Sequence, residues 1–171
     1  PPATSSAASD VYKRQLRNWF NFDKNNVLQV YSGKIDIGQH ISSTLALISS
    51  KITGINYDQV EIIKLDTDIS PNEGKTASSL SVPDSGSAIK AASLSLRKAF
   101  MKYSLKTLNV NFEDIVFDNG IIKDLKSNRS ISYWDYAKTN EFNELTIPEK
   151  FDEKEIREFK NKNDHKVEIK T

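Results

Sequence analysis

The chain has 171 residues, 24 Lys and Arg against 23 Asp and Glu, no Cys and two His. That length suits about one domain with a real core, and the near-balanced charge argues against a broad nucleic-acid-binding surface. Without Cys these residues build no disulfide, thiolate-held iron–sulfur cluster or Cys-zinc site, and the isolated His40 and His165 are too few for a His-based metal site. No apolar run approaches membrane-spanning length.

In chain order, the first segment stands apart. Ser5 to Gln15 back-translates, codon for codon, into a string resembling a transposase-based sequencing adapter read in frame. Residues 1–15 are therefore excluded from fold reasoning and expected to pack against nothing, as one excludes a tag. The remaining chain is expected to be an N-terminal fragment, because neither Leu16 nor Lys170-Thr171 reads as a natural terminus.

Asp23-Lys24-Asn25-Asn26 reads as a turn, and Val27 to Tyr31 as the strand that follows it. Lys34 to Ile37 alternates polar and apolar until Gly38-Gln39-His40 breaks the pattern. Ile41, Leu45, Ile48 and Ile52 then share one helical face, with Gly54 at the expected C-cap. Val60 to Leu65 is the next strand. Residues 66–87 form a Ser-, Thr-, Gly- and Pro-rich loop. From Ser87 the helical period returns through Ala88, Ala92, Leu96, Ala99, Phe100 and Tyr103, while Lys90, Arg97, Lys98, Lys102 and Lys106 read as solvated charge. Strands over 112–117 and 121–125 flank the Asn119-Gly120 turn. Residues 130–138 read as a short helix. From Asn140 the chain reads as a charged connector toward a following domain, with one exposed helix over 153–161. Mixed helices and strands with a hairpin give an α+β class, incomplete as a domain. Residues 16–139 form the expected domain and 140–171 the connector. Faces carrying Ile41, Leu45 or Phe100 are expected to lie uncovered in such a fragment, making it prone to association.

Two segments carry chemistry. Gly38-Gln39-His40 sits where a strand gives way to a helix. A glycine there admits close backbone approach, the helix start leaves unpaired N–H groups that favour an anion, and Gln39 offers both a donor and an acceptor. Alone, such a turn more often simply caps a helix. Gly74 to Ser81, with Gly86-Ser87 beyond it, offers small hydroxyl residues and free amides that suit phosphate oxygens. From composition alone a solvated Ser-rich connection is the commoner meaning. Lys75 reads as an exposed loop lysine, and Asp66 and Asp68 as turn and capping residues.

Together these segments resemble a known family. Gly33 to Thr44 is similar to the Gly-x-x-Glu-hydrophobic-Gly-Gln-Gly-x-x-Thr segment of xanthine dehydrogenase-type molybdenum hydroxylases. Asp66 to Ser81 resembles their Asp-Thr, Pro, Gly-x-Thr-Ala-Ser-x-Ser loop, and Gly86 to Ala92 the helix that follows. Trp19, Asn119 to Ile122 and Ser130 to Tyr133 also fit. The likeness spans Leu16 to Ala137, and its place before a connector resembles the large molybdopterin-binding subunit of the isoquinoline 1-oxidoreductase and aldehyde dehydrogenase branch.

The resemblance implies an oxidoreductase subunit, inactive alone as a fragment, that hydroxylates N-heterocycles or oxidises aldehydes with water as oxygen source. It implies a molybdopterin cofactor with molybdenum, in the cytosine dinucleotide form. Ile37, Gly38 and Gln39 fall on one cofactor loop, and Ser78, Ser79, Leu80 and Ser81 on the other. The 2Fe–2S clusters would lie only in a partner, the iron–sulfur small subunit. The family's catalytic Glu, near its far C-terminus, has no match in this sequence, so no catalytic or metal-ligating residue is assigned. His40 stands where the family has Gly, and Asp36 where it has Glu. A side chain at 40 crowds a turn that needs close approach, or its imidazole replaces a contact. The competing expectation is a non-catalytic relative with a decayed cofactor site, kept as an interaction or assembly module. A nucleotide-binding module ranks last, because no Walker-type or Gly-x-Gly-x-x-Gly turn is present.

Overall fold

The computed structural model describes residues 15–32, 39–64 and 82–148. Strands β1 (Phe20–Phe22) and β2 (Leu28–Ser32) are antiparallel across the Asp23–Asn26 turn. There the Asp23 amide donates to the Val27 carbonyl, and Asn26 takes a left-handed φ of 59°. Leu28, Val30 and Ser32 point inward and Gln29 and Tyr31 outward, the two-residue alternation of a strand with one covered face. β2 also pairs in parallel with β3 (Val60–Lys64), an arrangement that no tight turn can connect. The crossover is α1 (Gln39–Thr53), which buries Leu45, Ala46, Ser49 and Thr53 and half-buries Ile41, Ile48 and Ile52.

Helix α2 (Val82–Leu108) begins five residues before the expected Ser87. Pro83 belongs to its first turn, where a missing N–H costs nothing because those amides have no intrahelical partner. Ile89, Ala92, Leu96 and Phe100 are buried along its length. The second sheet is an antiparallel meander of β4 (Ile115–Asp118), β5 (Ile121–Asp124) and β6 (Ser130–Ser132). Asn119 and Gly120 join β4 to β5 with φ of 43° and 75°, the paired positive values of the tight hairpin turn expected there. The α+β class expected from the sequence is the class observed.

Several expectations need correction. Residues 130–138 are not all helix: Ser130–Ser132 pairs with β5, and α3 is Tyr133–Ala137. Ser132 caps α3 through a reciprocal box with Asp135, a Ser-x-x-acid signature that marks a helix start rather than its interior. The expected connector begins as packed structure. Helix α4 (Asn140–Glu144) follows an N-cap at Thr139, and Phe142 and Ile147 are buried in the core despite the charged residues between them. At the other end Gln15 bridges to Thr146, so the last residue of the excluded segment has a partner. Finally, Leu45 and Phe100, expected on uncovered faces, are buried. The large hydrophobics exposed among the described residues are Leu47, Tyr57, Val116 and Leu125, on separate elements or loops. The expected helix over 153–161 lies outside the described residues.

One polar cluster closes the ends of two elements. Asp124, buried at the end of β5, accepts from the Ser127 hydroxyl and the Lys126 amide and faces Arg129, which also donates to the Leu108 carbonyl at the end of α2. Those bonds, the Ser127 hydroxyl foremost, hold the Asp124 carboxyl below its ordinary value of 3.8. A carboxyl depressed by folding stabilises the native state above its unfolded pKa, and that contribution is lost as pH falls through the folded value. Acid titration of unfolding should therefore show stability falling below the ordinary Asp range. Asp124→Asn should flatten that part of the profile, and an unchanged profile would remove Asp124 from the account.

Gly54, just after α1, has φ +73°, and a Cβ there would lie 2.2 Å from Phe117 Cε1. Gly54→Ala must strain the backbone and displace that ring, so we expect a loss of about 3 kcal/mol in denaturant unfolding. Gly86 in α2 has open space, its nearest neighbour being Ile48 Cδ1 at 4.0 Å. Gly86→Ala should instead gain about 0.5–1 kcal/mol by stiffening the helix.

Candidate functional site

The site residues expected from sequence, Ile37, Gly38 and Ser78 to Ser81, lie outside the described residues, and Gln39 is described only as the first residue of α1. The structure does give the framework that carries these two segments. Residues 33–38 leave the end of β2 and enter α1; residues 65–81 leave the end of β3 and enter α2. In the parallel ladder Ser32 is the direct partner of Lys64, so both segments depart from adjacent points on one sheet edge. That edge is the carboxyl end of a parallel pair, where open α/β arrangements place their ligands because strand ends and helix starts diverge there.

The helices the segments enter are packed together. Gly86 of α2 lies over Ile48 of α1, and further along α2 the Arg97 Nη1 donates to the Ile52 carbonyl at 2.9 Å. The two contacts advance together along both helices. The helices therefore run in the same sense, with the starts Gln39 and Val82 toward one end. Unpaired amides at two helix starts on one side make that end favourable for an anion. Among the described residues no group of three His, Cys, Asp or Glu is placed to hold a metal ion. No described helix is long and apolar enough to cross a membrane.

Arg97 was expected as solvated charge and is instead buried at 7% exposure, with its guanidinium 4.7 Å over the Phe117 ring. It ties the last turn of α1 to α2, a position where a cation also meets the negative end of the helix dipole. By helical period Lys98 lies opposite the apolar face and Arg97 only borders it; what buries Arg97 is Phe117, which is close in space and distant in sequence. Tyr133 does similar work: its hydroxyl donates to the Thr53 carbonyl at 2.9 Å, and complete burial pushes its pKa well above the ordinary value. On the other side of α1, the Asn119 side chain accepts from the Asn56 amide and donates to Gln59, whose own amide donates to the Asn26 carbonyl. The end of the sheet opposite the one that launches both segments, with the last turn of α1, is thus braced by α2, by the meander and by the β1–β2 turn.

With that geometry in hand the chain can be placed among known proteins. It belongs to the molybdopterin cofactor-binding domain family, whose model matches residues 4–168. It is 22% identical over 121 residues to a nicotinate dehydrogenase subunit of Pseudomonas putida, an alignment covering 71% of this chain and 10% of that one. Its structure is similar to CO dehydrogenase from Oligotropha carboxidovorans, at a TM-score of 0.50 and 21% identity over 69% of this chain and 15% of that chain. It also aligns with quinoline 2-oxidoreductase from Pseudomonas putida 86, at a TM-score of 0.46 and 22% identity over 78% of this chain and 17% of that one. The chain spans about a tenth of the length of the curated relative it matches. The likeness to CO dehydrogenase establishes the fold.

Two substitutions test the bracing. Arg97→Lys keeps the charge but not the planar fork over Phe117, and should cost about 1–2 kcal/mol in denaturant unfolding. Tyr133→Phe keeps the ring stack and removes the bond to Thr53, and should cost about 1–2 kcal/mol because the carbonyl is left buried. Unfolding midpoints unchanged in both would show that α1 is held without them.

Proposed function

We propose that this chain supplies the cofactor-holding framework of a molybdenum-dependent oxidoreductase, in the large subunit of the isoquinoline 1-oxidoreductase and aldehyde dehydrogenase branch. In this reading Ile37, Gly38 and Gln39 lie along one side of a molybdopterin cytosine dinucleotide, and Ser78, Ser79, Leu80 and Ser81 along the other. The observation that carries it is the Ser32–Lys64 register: two segments with family-like sequence depart from partnered residues of one strand pair and enter two packed helices. The described framework fits a ligand bearing a pyrophosphate, since both helix starts, Gln39 and Val82, lie toward one end. The bound cofactor supplies the redox chemistry by which an N-heterocycle is hydroxylated, or an aldehyde oxidised, with oxygen from water. The residues of this chain bind and orient it: backbone amides and serine hydroxyls toward phosphate oxygens, and the Gln39 amide toward a heterocycle edge. No residue of this chain is assigned the role of the family's catalytic Glu. An iron–sulfur partner subunit carrying the 2Fe–2S clusters would be the electron acceptor.

His40, where the family has Gly, favours a second reading, a non-catalytic relative with a lapsed cofactor site that acts in assembly. The complete subunit, coexpressed with its partner and the cofactor machinery, separates the two. Gln39→Ala should lower bound molybdenum, measured by elemental analysis, together with released pterin. His40→Gly should leave loading equal or higher if the imidazole only crowds the turn, and lower if it has become a contact. A wild-type subunit that folds, pairs and carries no molybdenum would replace the enzyme reading with the assembly reading.

A further inference from the structure

The sequence holds one Asn-Gly pair, Asn119-Gly120, and the fold makes it the turn between β4 and β5. An asparagine followed by glycine is open to attack on its own side chain. The nucleophile is the next residue's amide nitrogen, and glycine has no Cβ to shield it or limit its approach. The Gly120 amide stands outside the ladder, which Asp118 and Ile121 close. In the native turn one segment, Ile55 to Gln59, opposes that attack twice. Ring closure needs the Asn119 side chain to turn back onto its own main chain, and the side chain is tied elsewhere. It accepts from the Asn56 amide at 2.8 Å and donates to Gln59 Oε1 at 2.6 Å. Gly120 itself is buried beneath Ile55, whose Cγ1 lies 3.0 Å from where a Cβ would stand. The two tied partners are 63 and 60 residues from Asn119 in sequence, so the turn does not need them to exist. Asn56, Tyr57 and Asp58 are exposed, and an exposed connection opens more readily than the strands beside it.

Loss of the side-chain amide at position 119 spoils this brace. An aspartate there keeps an acceptor for the Asn56 amide but has no donor for Gln59 Oε1, so two acceptor oxygens face each other. Gln59 can reverse its amide only by giving up the bond from Nε2 to the Asn26 carbonyl. The other product, isoaspartate, adds a methylene to the main chain of a two-residue turn. The φ values of 43° and 75° that let β4 and β5 pair are then no longer available. Either product leaves Gln59, the residue before β3, without its tie to the meander.

We propose that Asn119 is a conditional modification site, deamidated when the Ile55 to Gln59 segment lifts and protected while it is docked. The Gly120 nitrogen forms a bond to Asn119 Cγ and gives up its proton. The Cγ–Nδ2 bond breaks, and Nδ2 leaves with that proton as ammonia. Water then opens the cyclic imide at either carbonyl, giving aspartate or isoaspartate. Water is the only co-reactant, and nothing is oxidised or reduced. The conversion runs one way and records in covalent form that this corner of the domain has been open. The proposal does not depend on the cofactor reading, because it uses neither segment 33–38 nor segment 65–81.

The test incubates the full chain at mildly alkaline pH and follows every asparagine by peptide mass spectrometry, with enzymatic methylation to detect isoaspartate. In denaturant Asn119 should convert faster than any other asparagine, and folding should slow it at least about tenfold. Gln59→Ala removes one tie and should speed conversion in the folded chain severalfold. Phe142→Leu weakens the core in α4, away from the turn, and serves as the control. At matched stability it should leave Asn119 converting more slowly than Gln59→Ala does. Asn119→Asp, which mimics one product, should lower the unfolding midpoint. Equal conversion of Asn119 with and without denaturant would overturn the proposal, as would no preference for Asn119 among the asparagines of the denatured chain. Equal rates in Gln59→Ala and Phe142→Leu at matched stability would also overturn it, by assigning the protection to the fold as a whole. So would an unchanged midpoint in Asn119→Asp, which would leave the lost brace without effect.

Discussion

The Tyr133 ring is the contact through which the separate parts of this domain meet. It stacks on Phe100 of α2 with centroids 4.0 Å apart, lies against Phe22 of β1 and meets Phe117 of β4 edge-on. Its hydroxyl reaches the last turn of α1 and its amide donates to the Gly120 carbonyl in the hairpin turn. One side chain therefore touches both sheets and both long helices. Its neighbours follow from it. Gly120 must lack a Cβ, which would sit 3.0 Å from the Tyr133 ring, and the Asn119-Gly120 turn that results positions Asn119 to brace the Gln59 region. Aromatic pairs of this kind add to their area burial through ring geometry, and the cluster extends through Tyr136 and Phe142 into residues that look like a charged connector in sequence.

The elements legible in the sequence are those whose signal is local. The spacing of Ile41, Leu45, Ile48 and Ile52 marks α1, Gly54 ends it, and Asn119-Gly120 marks the second hairpin. What escaped has its cause elsewhere in the chain. Phe20-Asn21-Phe22 and Ser130-Ile131-Ser132 are each three residues long, too short for an alternation to register, and become strands only because β2 and β5 offer them a ladder. Arg97 looks like any helical cation until Phe117 and the Ile52 carbonyl surround it. Phe142 and Ile147 sit among charges and are claimed by a core assembled from distant residues. The candidate site was legible as motif rather than as geometry. Gly38-Gln39 and Ser78 to Ser81 carry a family-like pattern, while the register that launches them from one sheet edge is a property of the pairing between β2 and β3.

That division has a functional logic. The segments expected to meet the cofactor are rich in Gly and Ser and offer few apolar side chains, so they contribute little to a core. The burden of placing them falls on residues with no chemical role: Ser32 and Lys64 by their register, Arg97 and Tyr133 by holding α1 against its neighbours. Family membership matches this arrangement, since the matched residues 4–168 include the meander and α4 as well as the motifs.

The parallel pairing of β2 with β3 also bears on the order in which the chain assembles. Gln29 and Glu61, partners across that ladder, are 32 residues apart, whereas Asp118 and Ile121 close the other sheet within a single turn. Closing a long loop costs more entropy than closing a short one, and it yields no ladder bonds until the crossover helix is in place. The β4–β5 hairpin is therefore suited to form early and the β2–β3 edge late. The framework proposed to hold the cofactor would then be among the last parts of this domain to mature.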